Sequence, residues 1–214
     1  MKYLLLVNIF LFASEIEFLK VINKDSYFFI SKNEITYYDY ISYLNLAKEV
    51  DSLTIKRNQI FGHFNDKKVI RSNFVPYFHN LDTLCSKISE PSICIEKDKF
   101  YINNEKFYNS PINYITWFGA IRFAEFNNYK LPSKEQWEVA ANYEINNLFN
   151  MIGSVSEWVL DLWTPDSHYS HRVIKGGSSK QPNSKKYLNK ESIQANFPTH
   201  ASEYVGFRVV KINQ

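Results

Sequence analysis

"GSVSEWVLDLW", residues 153–163, sets two acids among large apolar side chains. Glu157 directly precedes Trp158, and Asp161 comes shortly before Trp163. A carboxylate in such company is either exposed or held by a partner. Whether Glu157 serves chemistry or architecture decides how the rest of the chain is read. Trp158, Trp163, Trp117 and Trp137 read most simply as core residues.

Working outward, regular structure is predicted on both sides. "YFFISKNEITYYDYISYLNLAKEV" reads as a strand at about 27–31 followed by a helix. Thr36 is a helix N-cap with Asp39 three residues later, and Tyr38, Ile41, Leu44 and Ala47 recur at helical spacing. Residues 52–110 are broken by Asn, Asp, Ser and Pro and read as loops and short strands. Within them "KFYINNEKFY" is predicted to be a hairpin turning on Asn-Asn. Thr116 caps a second helix carrying Trp117, Ala120, Phe123 and Ala124 on one face. Ser133 and Gln136 form a capping box for a third, with Trp137, Ala140 and Ala141 on one face. "HRVIKGGSS" and "YVGFRVVKI" read as strands. Helices early, strands late and long loops between them predict an α+β fold.

The 214 residues suit one domain, large enough to bury a core without metals. Aromatic residues make up 17% and glycines number only 6, an ordered composition. The net charge of +3 is scattered rather than gathered in a basic stripe, so nothing points to nucleic acid. "MKYLLLVNIFLFAS" has the order of a secretory signal: a lysine, an apolar run too short to span a bilayer, then small residues. The alternative is a buried first element. The expectation is a signal peptide at residues 1–14, one domain at 15–214, no transmembrane span in the mature chain, and export, into a bacterial periplasm. Cys85 and Cys94, the only cysteines, lie in a polar connection. Export would join them in a disulfide, whereas a cytosolic chain would keep two free thiols.

The order of these signals resembles the formylglycine-generating enzyme, or sulfatase-modifying factor, family. "YFFISKNEITYYDYISYL" is similar to the family's opening strand, acid and helix. "PINYITWFGAIRFAEFNNYKLPSKEQWEVAA" is similar to its central stretch, and "NMIGSVSEWVLDLW" to its Met-x-Gly-Asn-x-x-Glu-Trp segment. "HRVIKGGSS" and "EYVGFRVVK" are similar to its Gly-Gly-Ser and Gly-Phe-Arg endings, so the resemblance covers about 27–211. It implies an irregular, C-type-lectin-like α+β fold: two or three helices around small antiparallel sheets with long loops.

In some members the segment around Glu157 surrounds a calcium ion, which favours hard oxygen ligands. Here Glu157 remains, but Ser154 stands where Asn is usual. Calcium at Glu157 and Ser154 is therefore the weaker reading, and a carboxylate hydrogen-bonded to backbone N–H groups of neighbouring loops is preferred. The formylglycine-generating members use a copper ion on two cysteines between the Gly-Gly-Ser and Gly-Phe-Arg motifs, because Cu(I) favours thiolates. That interval here, "SKQPNSKKYLNKESIQANFPTHASEY", has no cysteine, and Asn189 and Ile193 stand near the places of the usual arginines. Other relatives hold iron on histidines of a helical domain missing from this chain. "HYSH" supplies His168 and His171, but that spacing diverges next to a strand. Glu135 and Glu138 read as solvated helix residues.

Three functions follow. The first is a non-catalytic, exported family member, a pseudoenzyme that binds a protein or glycan. Its binding-loop candidates are Lys185, Lys186, Tyr187, Lys190, Phe197 and His200, with Lys180 beside them. The second is a metal-dependent oxidoreductase using iron or copper. The third is a calcium-dependent lectin-like binder.

Overall fold

The computed structural model describes residues 16–50, 53–65, 74–87, 89–143, 150–164 and 171–211. The proposed signal at 1–14 and His168 lie outside these residues. β1 (Phe18–Asn23) and β2 (Ser26–Ser31) form an antiparallel hairpin in continuous register from Phe18↔Ser31 to Asn23↔Ser26. The sequence pattern locates only the second strand. The hairpin turns at Lys24, whose φ is 53°, rather than on the Asn-Gly type of pair that marks such turns. α1 (Tyr37–Val50) follows, and Thr36 caps it as predicted: its hydroxyl oxygen accepts from the Asp39 N–H at 3.2 Å, while the Thr36 N–H and hydroxyl donate to the Asp39 carboxylate.

The stretch predicted to be irregular contains two small sheets. β3 (Thr54–Lys56), β4 (Gln59–His63) and β5 (Phe74–Phe78) form one. β6 (Leu81–Asp82), β7 (Ile93–Glu96) and β8 (Lys99–Ile102) form the other. The Asn-Asn hairpin is corrected here. The turn is Lys97-Asp98, both at positive φ, and it joins β7 to β8. Asn104 instead caps a 3₁₀ turn (Glu105–Phe107), its side chain accepting from the Lys106 N–H. Cys85 and Cys94 are joined in a disulfide beside β6 and β7. Among the described residues no helix is long and apolar enough to cross a membrane.

α2 (Trp117–Phe126) begins at Thr116, whose hydroxyl accepts from the Gly119 N–H. Gly119 has no room for a side chain: an added Cβ would lie 2.2 Å from the Tyr77 carbonyl oxygen. The helix therefore packs against β5 at backbone contact. β9 (Tyr129–Lys130) leads to α3 (Lys134–Asn142), which carries the predicted Ser133–Gln136 capping box. β10 (Ser156–Leu162), β11 (Arg172–Lys175), the single-turn α4 (Ser184–Tyr187), β12 (Ile193–Asn196), β13 (Val205–Phe207) and β14 (Val210–Lys211) complete the chain.

Two four-stranded sheets result, with orders β1-β2-β14-β9 and β12-β11-β10-β13. Their strands are antiparallel as expected except for β10–β13, which is parallel, as is β6–β7 in the small sheet. β10 lies between two apolar clusters. Trp158 joins the larger one, with Tyr40, Phe123 and Phe207, and Val159 joins the smaller one, with Trp137 and Val173. Ser156 to Val159 are consequently all buried, without the alternation of a half-solvated strand. Trp163 is the exception among the tryptophans predicted to be core: it lies past the end of β10 and is 50% exposed.

The disulfide closes a short loop, with nine residues of separation. Replacing both cysteines with serine should lower unfolding free energy by about 2–3 kcal/mol, the loop-entropy contribution for that length. Urea unfolding of the oxidised protein and the double variant measures this directly.

Candidate functional site

Glu157 is fully buried, and its partners are side chains rather than the backbone N–H groups expected. The Arg208 Nε donates to Glu157 Oε2 at 2.7 Å and its Nη2 to Oε1 at 2.8 Å. The Trp137 indole N–H donates to Oε2 at 2.7 Å. Such a forked, charge-assisted pair is the geometry in which a buried ion pair is best satisfied. The remaining guanidinium nitrogen, Nη1, donates to the Ser31 and Lys32 carbonyls at the end of β2. The donor set does not fit calcium at Glu157, because a guanidinium already occupies the coordinating oxygens and would repel a second cation. Ser154 does not complete a calcium site with it. Its carbonyl accepts from the Ser178 hydroxyl at 2.6 Å, away from Glu157.

Glu34 is the acid that sequence reasoning missed. It sits just before α1, is 3% exposed, and lies 4.0 Å from Arg208 Nη2. Its Oε1 has no hydrogen-bond partner. Two buried carboxylates thus share one guanidinium. Burial first, and then the nearby Glu157 charge, push the Glu34 carboxyl up from 4.5 to about 7, against the lowering effect of Arg208. The acid of the "NEIT" segment was visible in the sequence, but its burial was not.

The other acids of the region serve local structure. Asp161 accepts from the Lys134 N–H at 2.6 Å and so supports the first turn of α3. Glu138, predicted to be solvated, pairs at 2.9 Å with the fully buried ammonium of Lys175, which also donates to the Lys190 carbonyl. Glu135 reaches only Asn23, at 3.5 Å. The Gly-Gly turn is required by geometry. Gly176 and Gly177 have φ of 86° and 65°, and side chains there would meet the Met151 and Tyr187 carbonyls.

The binding-loop candidates do not converge. Lys185, Lys186 and Tyr187 form α4, with the Lys186 ammonium 5.3 Å from the Tyr187 ring. Lys190 precedes β12 and bonds Asn142. Phe197 and His200 follow β12, at its other end. β12 lies among the binding-loop candidates; its "IQAN" offers few apolar residues, yet it forms the sheet edge beside β11. His200 is half-buried, its N–H donating to the Phe197 carbonyl. Burial holds its imidazole below the usual range, and burial with the nearby His200 does the same for His79. His171 stacks on Phe197 with centroids 4.3 Å apart. Among the described residues no group of three or more His, Cys, Asp or Glu side chains is arranged to hold a metal ion.

The family model of the sulfatase-modifying factor enzyme 1-like domain matches residues 20–147 and 142–213. The solved structure of CarF is similar in fold, with 14% identity over 92% of this chain and 94% of that one and a TM-score of 0.56. PvdO from Pseudomonas aeruginosa is similar at 14% identity over 86% and 80%, with a TM-score of 0.49. Treponema denticola variable protein 1 is similar at 12% identity over 91% and 92%, with a TM-score of 0.48. No protein of curated function matches the chain.

The Glu34 carboxyl yields a pH prediction. A folded value near 7 against 4.5 means that the folded state holds a proton the unfolded state has lost. Stability from this group is complete below about pH 4.5 and is lost as pH rises through 7. Relative to Glu34→Gln, which keeps the neutral form at every pH, the wild type should lose on the order of 3 kcal/mol between pH 4.5 and pH 8. Denaturant titrations of both proteins across that range should give curves that diverge toward alkaline pH.

Proposed function

Because the chain belongs to the sulfatase-modifying factor family yet has no thiol for the family's copper, we propose that it is a non-catalytic, exported binding module built on that fold. The observation that carries the reading is the fate of the cysteines. The chain has only two, and they are joined to each other beside β6 and β7. The interval between the Gly-Gly turn and Gly206, where the formylglycine-generating members hold copper, has none. Its side chains include lysines, amides, hydroxyls, two carboxylates (Glu191 and Glu203) and a single imidazole, His200, but no thiolate, the soft ligand that Cu(I) favours. The donor set does not fit the ion, so no oxidation step is assigned.

The buried polar groups are consistent with an architectural use of the family motifs. Glu157 and Arg208 join elements distant in sequence, and Asp161 supports α3. What remains for function is surface, carried on loops and the β12 edge over a fixed core. A disulfide is the expected state in an oxidising compartment, which supports export, and the periplasm is the compartment proposed.

The protein purified without chelator should carry no stoichiometric copper or iron, and should consume no oxygen when given a cysteine-containing peptide with Cu(I). Elemental analysis and an oxygen electrode measure the two quantities. Stoichiometric metal together with oxygen uptake would overturn the binding-module reading.

A further inference from the structure

We propose that Trp163, His171 and Phe197 form a stacking platform for a neutral sugar ring, which rests on the binding-module reading above. The three residues come from different segments but lie in one row. Leu162 pairs with Arg172 and Arg172 with Asn196, so the next position on each strand brings Trp163, His171 and Phe197 side by side. The Trp163 N–H donates to the His171 carbonyl at 2.8 Å, and the His171 imidazole lies on the Phe197 ring at an interplanar angle of 35°. The pleat sends the preceding row the other way: the Arg172 guanidinium stacks 3.8 Å from the buried Trp117 ring. Trp163 is 50% exposed and Phe197 57%, whereas Trp117, Trp137 and Trp158 are buried.

Large exposed rings clustered at one sheet end need an occupant of matching size and charge. With strands about 4.8 Å apart, the row spans roughly 10 Å, the reach of one or two sugar rings. The two half-exposed rings, at about 150–250 Å² each when whole, offer roughly 200 Å², well short of the ~800 Å² per partner of a stable protein interface. The row itself has no fixed charge, and the exposed Lys185, Lys186 and Lys190 precede β12 while Phe197 follows it. A single-stranded nucleic acid would need a cationic groove along such a platform. A pyranose instead offers a C–H face for the rings and hydroxyls for neutral donors and acceptors. Within the row the polar group is the His171 imidazole, with its two ring nitrogens beside the Phe197 ring.

The test is calorimetric titration of the full chain with oligosaccharides of glucose, galactose and N-acetylglucosamine, three to six rings long, with heparin as the anionic comparison. The expected result is saturable binding of at least one neutral series, unaffected by chelator. Phe197→Ala and Trp163→Ala should each weaken it at least tenfold while leaving the melting temperature unchanged. Binding that survives both substitutions, binding of heparin alone, or no binding of any neutral series at millimolar concentration would each overturn the platform. Those outcomes leave the binding-module reading standing, since that reading falls only to metal content with oxygen uptake.

Discussion

The pairing of Glu157 with Arg208 is the interaction on which the rest of the structure depends. Both side chains are fully buried, and between them they touch β10, the β13–β14 connection, α3 through Trp137 and the end of β2. The two four-stranded sheets therefore meet at one ion pair lying between two apolar clusters. A buried ion pair is not by itself a large stabiliser relative to an apolar replacement, because two charges have left water. Its effect is on which arrangement forms. Once Glu157 is buried, only a placement that brings Arg208 and the Trp137 indole to it avoids an unpaired charge.

Much of this fold was legible in the sequence, and the reasons differ by element. The caps at Thr36, Thr116 and Ser133 are local, so the residues that make them are neighbours in the chain. The disulfide was legible as one of two readings of the only two cysteines, the one that export would imply. The hairpins were harder to find, because β1–β2 and β7–β8 turn on Lys24 and on Lys97-Asp98, which carry no glycine signal. β12 was invisible because an edge strand needs little apolar patterning. The candidate site was harder still. The pairing of Glu157 with Arg208 joins residues far apart in sequence, and Trp163, His171 and Phe197 become neighbours only once the register of three strands is set.

The motif residues are committed to partners within the fold: Glu157 to Arg208, Ser154 to Ser178, and Glu138 to Lys175. Around β12 the groups with exposed surface include the Phe197 ring and the lysines Lys185, Lys186 and Lys190. Such groups bind readily, but without thiolates or clustered carboxylates they supply little to hold a redox metal. A family fold can thus keep its architecture while its surface takes another role.

The account stands most directly on a double-mutant cycle between Glu157→Gln and Arg208→Met, measured by urea unfolding at a pH where both proteins fold. Each single change should cost about 3–5 kcal/mol by leaving a buried group without its partner. The double change should cost less than the sum by at least about 2 kcal/mol. Costs that add to within about 0.5 kcal/mol would mean that the two residues act independently, and would contradict the claim that their pairing organises the fold.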